Sequence, residues 1–425
     1  MRRIRTVVIF VGTVTMWVAP YCWGDEPLGD PLTLETLIAY ARTHNPEIRS
    51  AESHWRAALA RPAQAGALPD PMADIGYHNE GFDGFPLGSS DFTFLRFGAS
   101  QEVPFPGKLG LRRDIASRSA DEAQESFRRV ELDVVSRLKV AYAEYAHLQE
   151  LLHLLDRNKT LLEQFARTAE SKYAVGEGIQ QDVLKAQVES SLLLDRETTL
   201  DQRRQSETAQ LNALLDRAPW EPLGVAEHPT VKSLTLSLDQ LTDAAHAHAP
   251  DLKMAEFRLA GGEAAVALAH REYLPDFVLR AEYMQKAALL PEWEVGVGIK
   301  LPLYFATKQR NGVTEAAATL SEARSMRDAA LRSLDFRVKD LFLRAHASER
   351  LIALYHTTVI PQARLALDSA TQAYAVGKVD FLTLLNSFTV MLEYEMRYHE
   401  ELANFQKAIA ELEATIGEPL SEVAL

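Results

Sequence analysis

The sequence predicts a mostly α-helical chain in which one unit occurs twice, each copy carrying two strands, which in lipid would have to be closed into a barrel shared between chains. Three observations lead there. Tyr173-Ala-Val-Gly176 recurs as Tyr374-Ala-Val-Gly377, and Ala209-Gln-Leu-Asn-Ala-Leu-Leu215 is answered by Ala410-Glu-Leu-Glu-Ala-Thr-Ile416, both at an offset of about 200 residues, the mark of an internal duplication. Two long Ala/Leu/Glu-rich stretches, 109–173 and 311–375, are nearly free of helix-stopping residues, with Pro361 the one local disturbance. Two aromatic-rich stretches alternate apolar and polar residues with period two.

The chain opens with Arg2, Arg3 and Arg5, then an apolar run from Val7 to Ala19, the layout of a secretory signal peptide over residues 1–24. The run is short for a bilayer-spanning helix. Cleavage after Gly24 removes Cys22, the sole cysteine, and with it disulfide, thiolate-ligand and cysteine-nucleophile chemistry. Tyr21 is a bulky neighbour for a lipidated cysteine, which wants a small residue before it.

The first repeat, 25–218, begins with a helix from Leu32 to Arg61, capped by Thr33 and broken at Asn45-Pro46. A β-hairpin is expected over 72–103, then the long helix 109–173 and a return helix 180–217. A Gly/Phe-rich loop over 79–90 joins the strands. Pro222, Gly224 and Pro229 predict an inter-repeat linker over 219–249. The second repeat, 250–417, has its hairpin at 276–303, long helix at 311–375 and return helix at 380–416, before a tail at 418–425. Smaller echoes agree: Leu68-Pro-Asp70 with Leu274-Pro-Asp276, and Val103-Pro104 with Leu301-Pro302.

On the second hairpin, Phe277, Leu279, Ala281 and Tyr283 share one face with Trp293, Val295, Val297 and Ile299 across the turn. Arg280, Glu282, Glu292 and Glu294 share the other. Such a pair of faces suits the core and solvent sides of a soluble sheet or the lipid and lumen sides of a membrane barrel. In the barrel reading these four charged residues line the lumen, and Tyr283 and Trp293 sit in an interfacial aromatic belt. Four strands are too few for an aqueous barrel, so lipid-facing strands demand several chains.

A formal net charge of -14 over 425 residues argues against a nucleic-acid partner. No phosphate-cradling glycine loop and no His-Glu-x-x-His run is present, so neither a cofactor nor a catalytic group is expected. His246 and His248 have a spacing that could hold a metal, but a pair alone is a weak site in what reads as an exposed linker.

Gly176 and Gly377 fit a tight reversal between antiparallel helices, where positive φ is needed. Asp380 after the second tip reads equally as an N-cap or as a carboxylate at a narrow mouth.

The tip passages 173–187 and 374–386, with Gln101-Glu-Val-Pro-Phe-Pro-Gly-Lys-Leu109, resemble the TolC-like outer-membrane efflux proteins over almost the whole chain. Leu68-Pro-Asp-Pro71, Val103-Pro-Phe-Pro106 and the ending from Glu393 to Gly417 look most like the branch serving heavy-metal efflux. The resemblance implies a homotrimer with a twelve-stranded barrel in outer-membrane lipid and a periplasmic α-helical tunnel. It implies docking to a periplasmic adaptor (membrane fusion) protein and an inner-membrane proton-driven pump, with the chain itself a passive duct and no enzyme. It makes Lys172, Tyr173, Gly176, Tyr374, Val376 and Gly377 the expected adaptor-docking tips. Asp380, Phe381, Thr383 and Asn386 become the expected gate, Thr383 and Asn386 standing where the archetype carries paired aspartates. The same duct for organic compounds, or a soluble periplasmic coiled-coil scaffold, are the competing expectations.

Overall fold

The computed structural model describes residues 32–80, 84, 90–227, 233–286 and 289–420. The expected signal peptide with Cys22, and most of the loop expected at 79–90, lie outside the described residues. No described helix is long and apolar enough to cross a membrane.

Helices α1 (Leu34–His44) and α2 (Pro46–Ala65) are separated by a single residue with two roles. The Asn45 side chain accepts hydrogen bonds from the Glu47 and Ile48 amides at 2.8 and 3.2 Å, capping α2, while its Nδ2 donates to the Leu214 carbonyl at 2.9 Å. Pro46 cannot continue α1 but suits the first position of α2.

Helix α3 (Lys108–Ala174) runs 67 residues without interruption, about 100 Å at 1.5 Å per residue. Its upper part packs between α2 and α6 (Pro250–Arg271), its lower part between α4 (Gln180–Leu214) and α9 (Phe381–Ile416). The counterpart of α3 is divided into α7 (Gln309–Leu354) and α8 (Ile360–Ala375). Between them Tyr355–Val359 forms one π-helical turn, with the Ile360 amide bonded to the Tyr355 carbonyl. Pro361 is the cause: it has no N–H for the Thr357 carbonyl, and its ring crowds that carbonyl.

The linker expectation at 219–249 is corrected. Its second part is a helix, α5 (Leu238–His248), begun by a reciprocal capping box between Ser237 and Gln240. Leu241 and Ala245 are buried against α7 and α9. α5 stands before Pro250 as α1 stands before Pro46, so it is the first helix of the second repeat. The earlier part straps the waist. Leu32 bridges Ala226, and the Tyr142 hydroxyl donates to the Leu32 and Glu227 carbonyls at 2.8 and 3.0 Å. Burial pushes that phenol up to about 12.

The strands β1 (Met72–His78), β2 (Phe94–Val103), β3 (Asp276–Gln285) and β4 (Glu292–Lys300) form one antiparallel sheet in the order β1-β2-β3-β4. The first hairpin runs from Met72 to Val103, whereas the second ends at Lys300, short of the expected 303, with Leu301 and Leu303 beyond β4 in the crossover to α7. Alternation reports a period, and it continues into any extended crossover that no partner strand pairs.

Candidate functional site

The two helical tips are built alike. Gly176 has φ 78° and Gly377 φ 74°, and an added Cβ would meet nothing within 4 Å at either position. Backbone handedness alone therefore selects glycine there. Each reversal is closed by the same bond, from the glycine amide to the carbonyl of Tyr173 or Tyr374, at 3.1 Å in both.

The side chains diverge. Tyr173 is 50% exposed, whereas Tyr374 is 6% exposed and belongs to the core between the hairpins. The Tyr374 ring lies edge-on to Phe381 at 5.5 Å, and Lys172 Nζ sits 5.0 Å over it, a cation–π contact joining the two tips. Of the expected docking residues, Tyr173, Val376 and the two glycines face outward and Lys172 is half-buried; Tyr374 is an internal support.

Of the expected gate, Asp380, Thr383 and Asn386 are exposed, but Phe381 is fully buried and cannot reach an aperture. Its place on the inward side of α9 follows from packing against Tyr374. Asp380 caps α9, accepting from the Thr383 amide at 2.9 Å, and the Thr383 hydrogen bonds hold its carboxyl below the usual range.

Sequence reading missed Asp182 on α4. Burial raises its carboxyl, the Asp380 charge raises it further, and Lys185 opposes both. Ile179, Leu184 and Val188 also stand exposed near this tip, and the i, i+4 spacing of the last two is the signal that could have found them.

At the other end, the sheet turns its apolar face outward. Ile75, Phe97, Tyr283 and Trp293 lie in one register row across all four strands, and each is exposed. Arg280, Glu282, Glu292 and Glu294 share the opposite face with Asp74 and Arg96. Arg96 lies 3.3 Å from Asp74 and 3.9 Å from Glu282, which relieves the direct opposition of Glu282 and Glu294. β1 and β4 each have one unpaired edge among the described residues.

His246 Nε2 is 2.7 Å from Asp335 and His248 Nδ1 is 3.7 Å from Glu418, so the two imidazoles face different carboxylates. Among the described residues no three His, Cys, Asp or Glu side chains are grouped to hold a metal.

A family model described as outer membrane efflux protein matches residues 37–217 and again 241–418, once for each repeat. The chain belongs to the outer membrane efflux protein family. Solved structures agree in fold. The outer membrane protein VceC of Vibrio cholerae has a TM-score of 0.78 at 19% identity, covering 91% of this chain and 96% of that one. A membrane protein of Pseudomonas aeruginosa gives 0.79 at 17%, covering 92% and 91%. CusC, described as forming a transmembrane channel, gives 0.77 at 16%, covering 91% and 92%. No curated protein matches the sequence. As a family member the chain is an outer-membrane efflux component, and its exposed apolar sheet face is the feature that a membrane location explains.

Proposed function

We propose that the protein is the passive exit duct of a tripartite efflux pump and works as a homotrimer. Three four-stranded sheets close a twelve-stranded outer-membrane barrel, continued by a periplasmic tunnel of helices. The observation that carries the reading is the pairing of an exposed apolar strand face with two sheet edges left open among the described residues. Hydrocarbon tolerates the first and forbids the second, so strands in lipid must be closed by further copies. The helical wall has the same need, with α4 at one side and α8 at the other.

The exposed tips, with Tyr173, Val376, Gly176 and Gly377, dock a periplasmic adaptor, which couples the duct to a proton-driven inner-membrane pump. Export is then driven elsewhere, and this chain needs neither catalytic group nor cofactor. The cargo is a heavy-metal cation. Acidic Glu282, Glu292 and Glu294 on the lumen face favour cation passage, as does the formal net charge of -14.

Density separation of membranes, followed by native mass in mild detergent, tests the duct. A cleaved trimer in the outer-membrane fraction is expected; a water-soluble monomer or dimer would make the molecule a periplasmic scaffold. For the cargo, cells lacking the gene should become sensitive to divalent metal salts and recover on complementation. Sensitivity to organic toxicants alone would assign the duct to that class instead.

A further inference from the structure

Leu68-Pro-Asp70 and Leu274-Pro-Asp276 occupy the same place in the two repeats, at the entries to β1 and β3. The Pro69 carbonyl accepts from Gln101 Nε2 at 2.7 Å, but of the two carboxylates only that of Asp276 is engaged among the described residues. Asp276 Oδ1 accepts from the Phe105 amide at 2.8 Å and from Lys108 Nζ at 2.8 Å. Lys108, 1% exposed, also donates to the Leu274 carbonyl at 3.0 Å and pairs with Glu272 at 3.3 Å. Arg271 Nη1 donates to the Pro106 carbonyl at 2.8 Å. The strand-to-helix crossover of the first repeat is thus seated on the Leu-Pro-Asp of the second.

The complementary pieces are both left open. Asp70 is exposed and has no hydrogen-bond or ion-pair partner among the described residues. The crossover of the second repeat, 301–308, makes no hydrogen bond or ion pair to another segment among the described residues, and Leu303, Tyr304 and Phe305 are 74%, 77% and 57% exposed. It ends at Lys308, immediately before α7, much as the first ends at Lys108, the first residue of α3. Lys308 is exposed, and its side chain has no ion pair among the described residues. One flank of the molecule offers an acceptor without a crossover; the other offers a crossover without an acceptor.

Building on the homotrimeric reading above, we propose that Lys308 pairs with Asp70 of the partner subunit, repeating between chains the Lys108–Asp276 lock found within one. The second crossover is two residues longer between its proline and its lysine, a difference the exposed intervening backbone has to absorb. The same equivalence fixes the strand register across the subunit boundary. Transferring the β2–β3 pairing to β4 and the partner's β1 sets Val297 opposite Ile75 of the partner subunit, and Val295 opposite Tyr77 of the partner subunit. It also sets Gly298 opposite Asp74 of the partner subunit. Apolar residues then meet apolar ones on the outward face, and a glycine meets the carboxylate inside. A slip by one residue would set Val297 against Asp74 or Gly76 of the partner subunit, on the wrong face.

The test is charge exchange in the full chain, read as the trimer fraction on native mass and on unheated detergent gels. Asp70→Lys and Lys308→Asp should each raise the trimer dissociation constant about tenfold or more, the scale of a lost charge-assisted hydrogen bond. The doubly exchanged chain should recover most of the loss. Recovery supports the lock; a double variant no more trimeric than the singles, or singles as trimeric as the parent, overturns it. Should a reversal block insertion, Asp70→Asn, Lys308→Gln and their combination give the same reading, with non-additive losses expected and additive ones overturning. The parent chain separates the two levels: a monomeric parent refutes the homotrimer itself, whereas a trimeric parent without recovery refutes only this pair.

Discussion

Tyr173-Ala-Val-Gly176 and Tyr374-Ala-Val-Gly377 are the same four residues in the same backbone turn, with glycine φ values only 4° apart. Their tyrosines nonetheless live in different media, one half in water and the other in the core. The difference comes from the neighbours. α9 lies beside α3, so the second tip is covered by Lys172 from the first, while the first tip lies at the α4 flank with no described helix beyond it. A local motif determines a turn; the row of helices determines what the turn presents.

The largest effect should separate the two tyrosines. Tyr374→Ala is expected to lower stability by about 3–5 kcal/mol, as for a buried aromatic truncation. Tyr173→Ala should stay within about 0.5 kcal/mol, as for a surface change, while weakening adaptor capture. Thermal unfolding in detergent and adaptor pull-down read the two quantities, and equal losses of stability would erase the distinction.

The glycines should behave alike. Gly176→Val and Gly377→Val each force a branched residue into the left-handed region at a cost of about 1–2 kcal/mol. Faster hydrogen exchange confined to the substituted tip is the expected signature; a loss at one tip only would show that side-chain surroundings outweigh the backbone.

The starts of the return helices sharpen the contrast further. Asp380 caps α9 through its side chain, whereas Ile179, six residues after its own tyrosine as Asp380 is after Tyr374, leaves α4 without a side-chain cap. Ile179→Asp should therefore stabilise the first tip by about 1 kcal/mol. Slower exchange of the α4 amides checks it.

The smallest effects are electrostatic and of opposite sign. The Asp380 carboxyl is held low, so its charge contributes stability that is present above the unfolded value near 3.9 and lost as pH falls through the folded one. Asp380→Asn, which keeps a capping side chain, should melt below the parent at pH 7, with the gap closing in acid. The Asp182 carboxyl is raised by burial, so its charge opposes folding at neutral pH, and the folded state gains as pH falls through that raised value. Asp182→Asn should melt at or above the parent at pH 7. Melting curves at pH 7 and about pH 4 test both signs.

Much of the fold was legible because long helices and strands advertise themselves by period. The 67-residue α3, the disturbance at Pro361 and the alternation on β3 and β4 all rest on local rules of propensity and side-chain direction. α5 was not legible, because Pro222, Gly224 and Pro229 at the start of its segment outweighed a capping box further along. At the site, the glycines and the capping role of Asp380 could be read from the chain, since each acts through its own backbone. Buried Phe381 and Tyr374 could not, because an aromatic beside a tip looks the same whether it faces an aperture or the neighbouring helix.

The sequence by itself determined the duplicated plan, the tip turns, the length of α3 and which strand residues share a face, all of them consequences of interactions within a few residues. Only the tertiary structure decided that the two tips touch, that Lys108 is locked under the first crossover, and that the second crossover and Asp70 are left facing outward. Those outcomes depend on which repeat lies on which side of α3, and a repeated sequence carries no local mark of its own left and right.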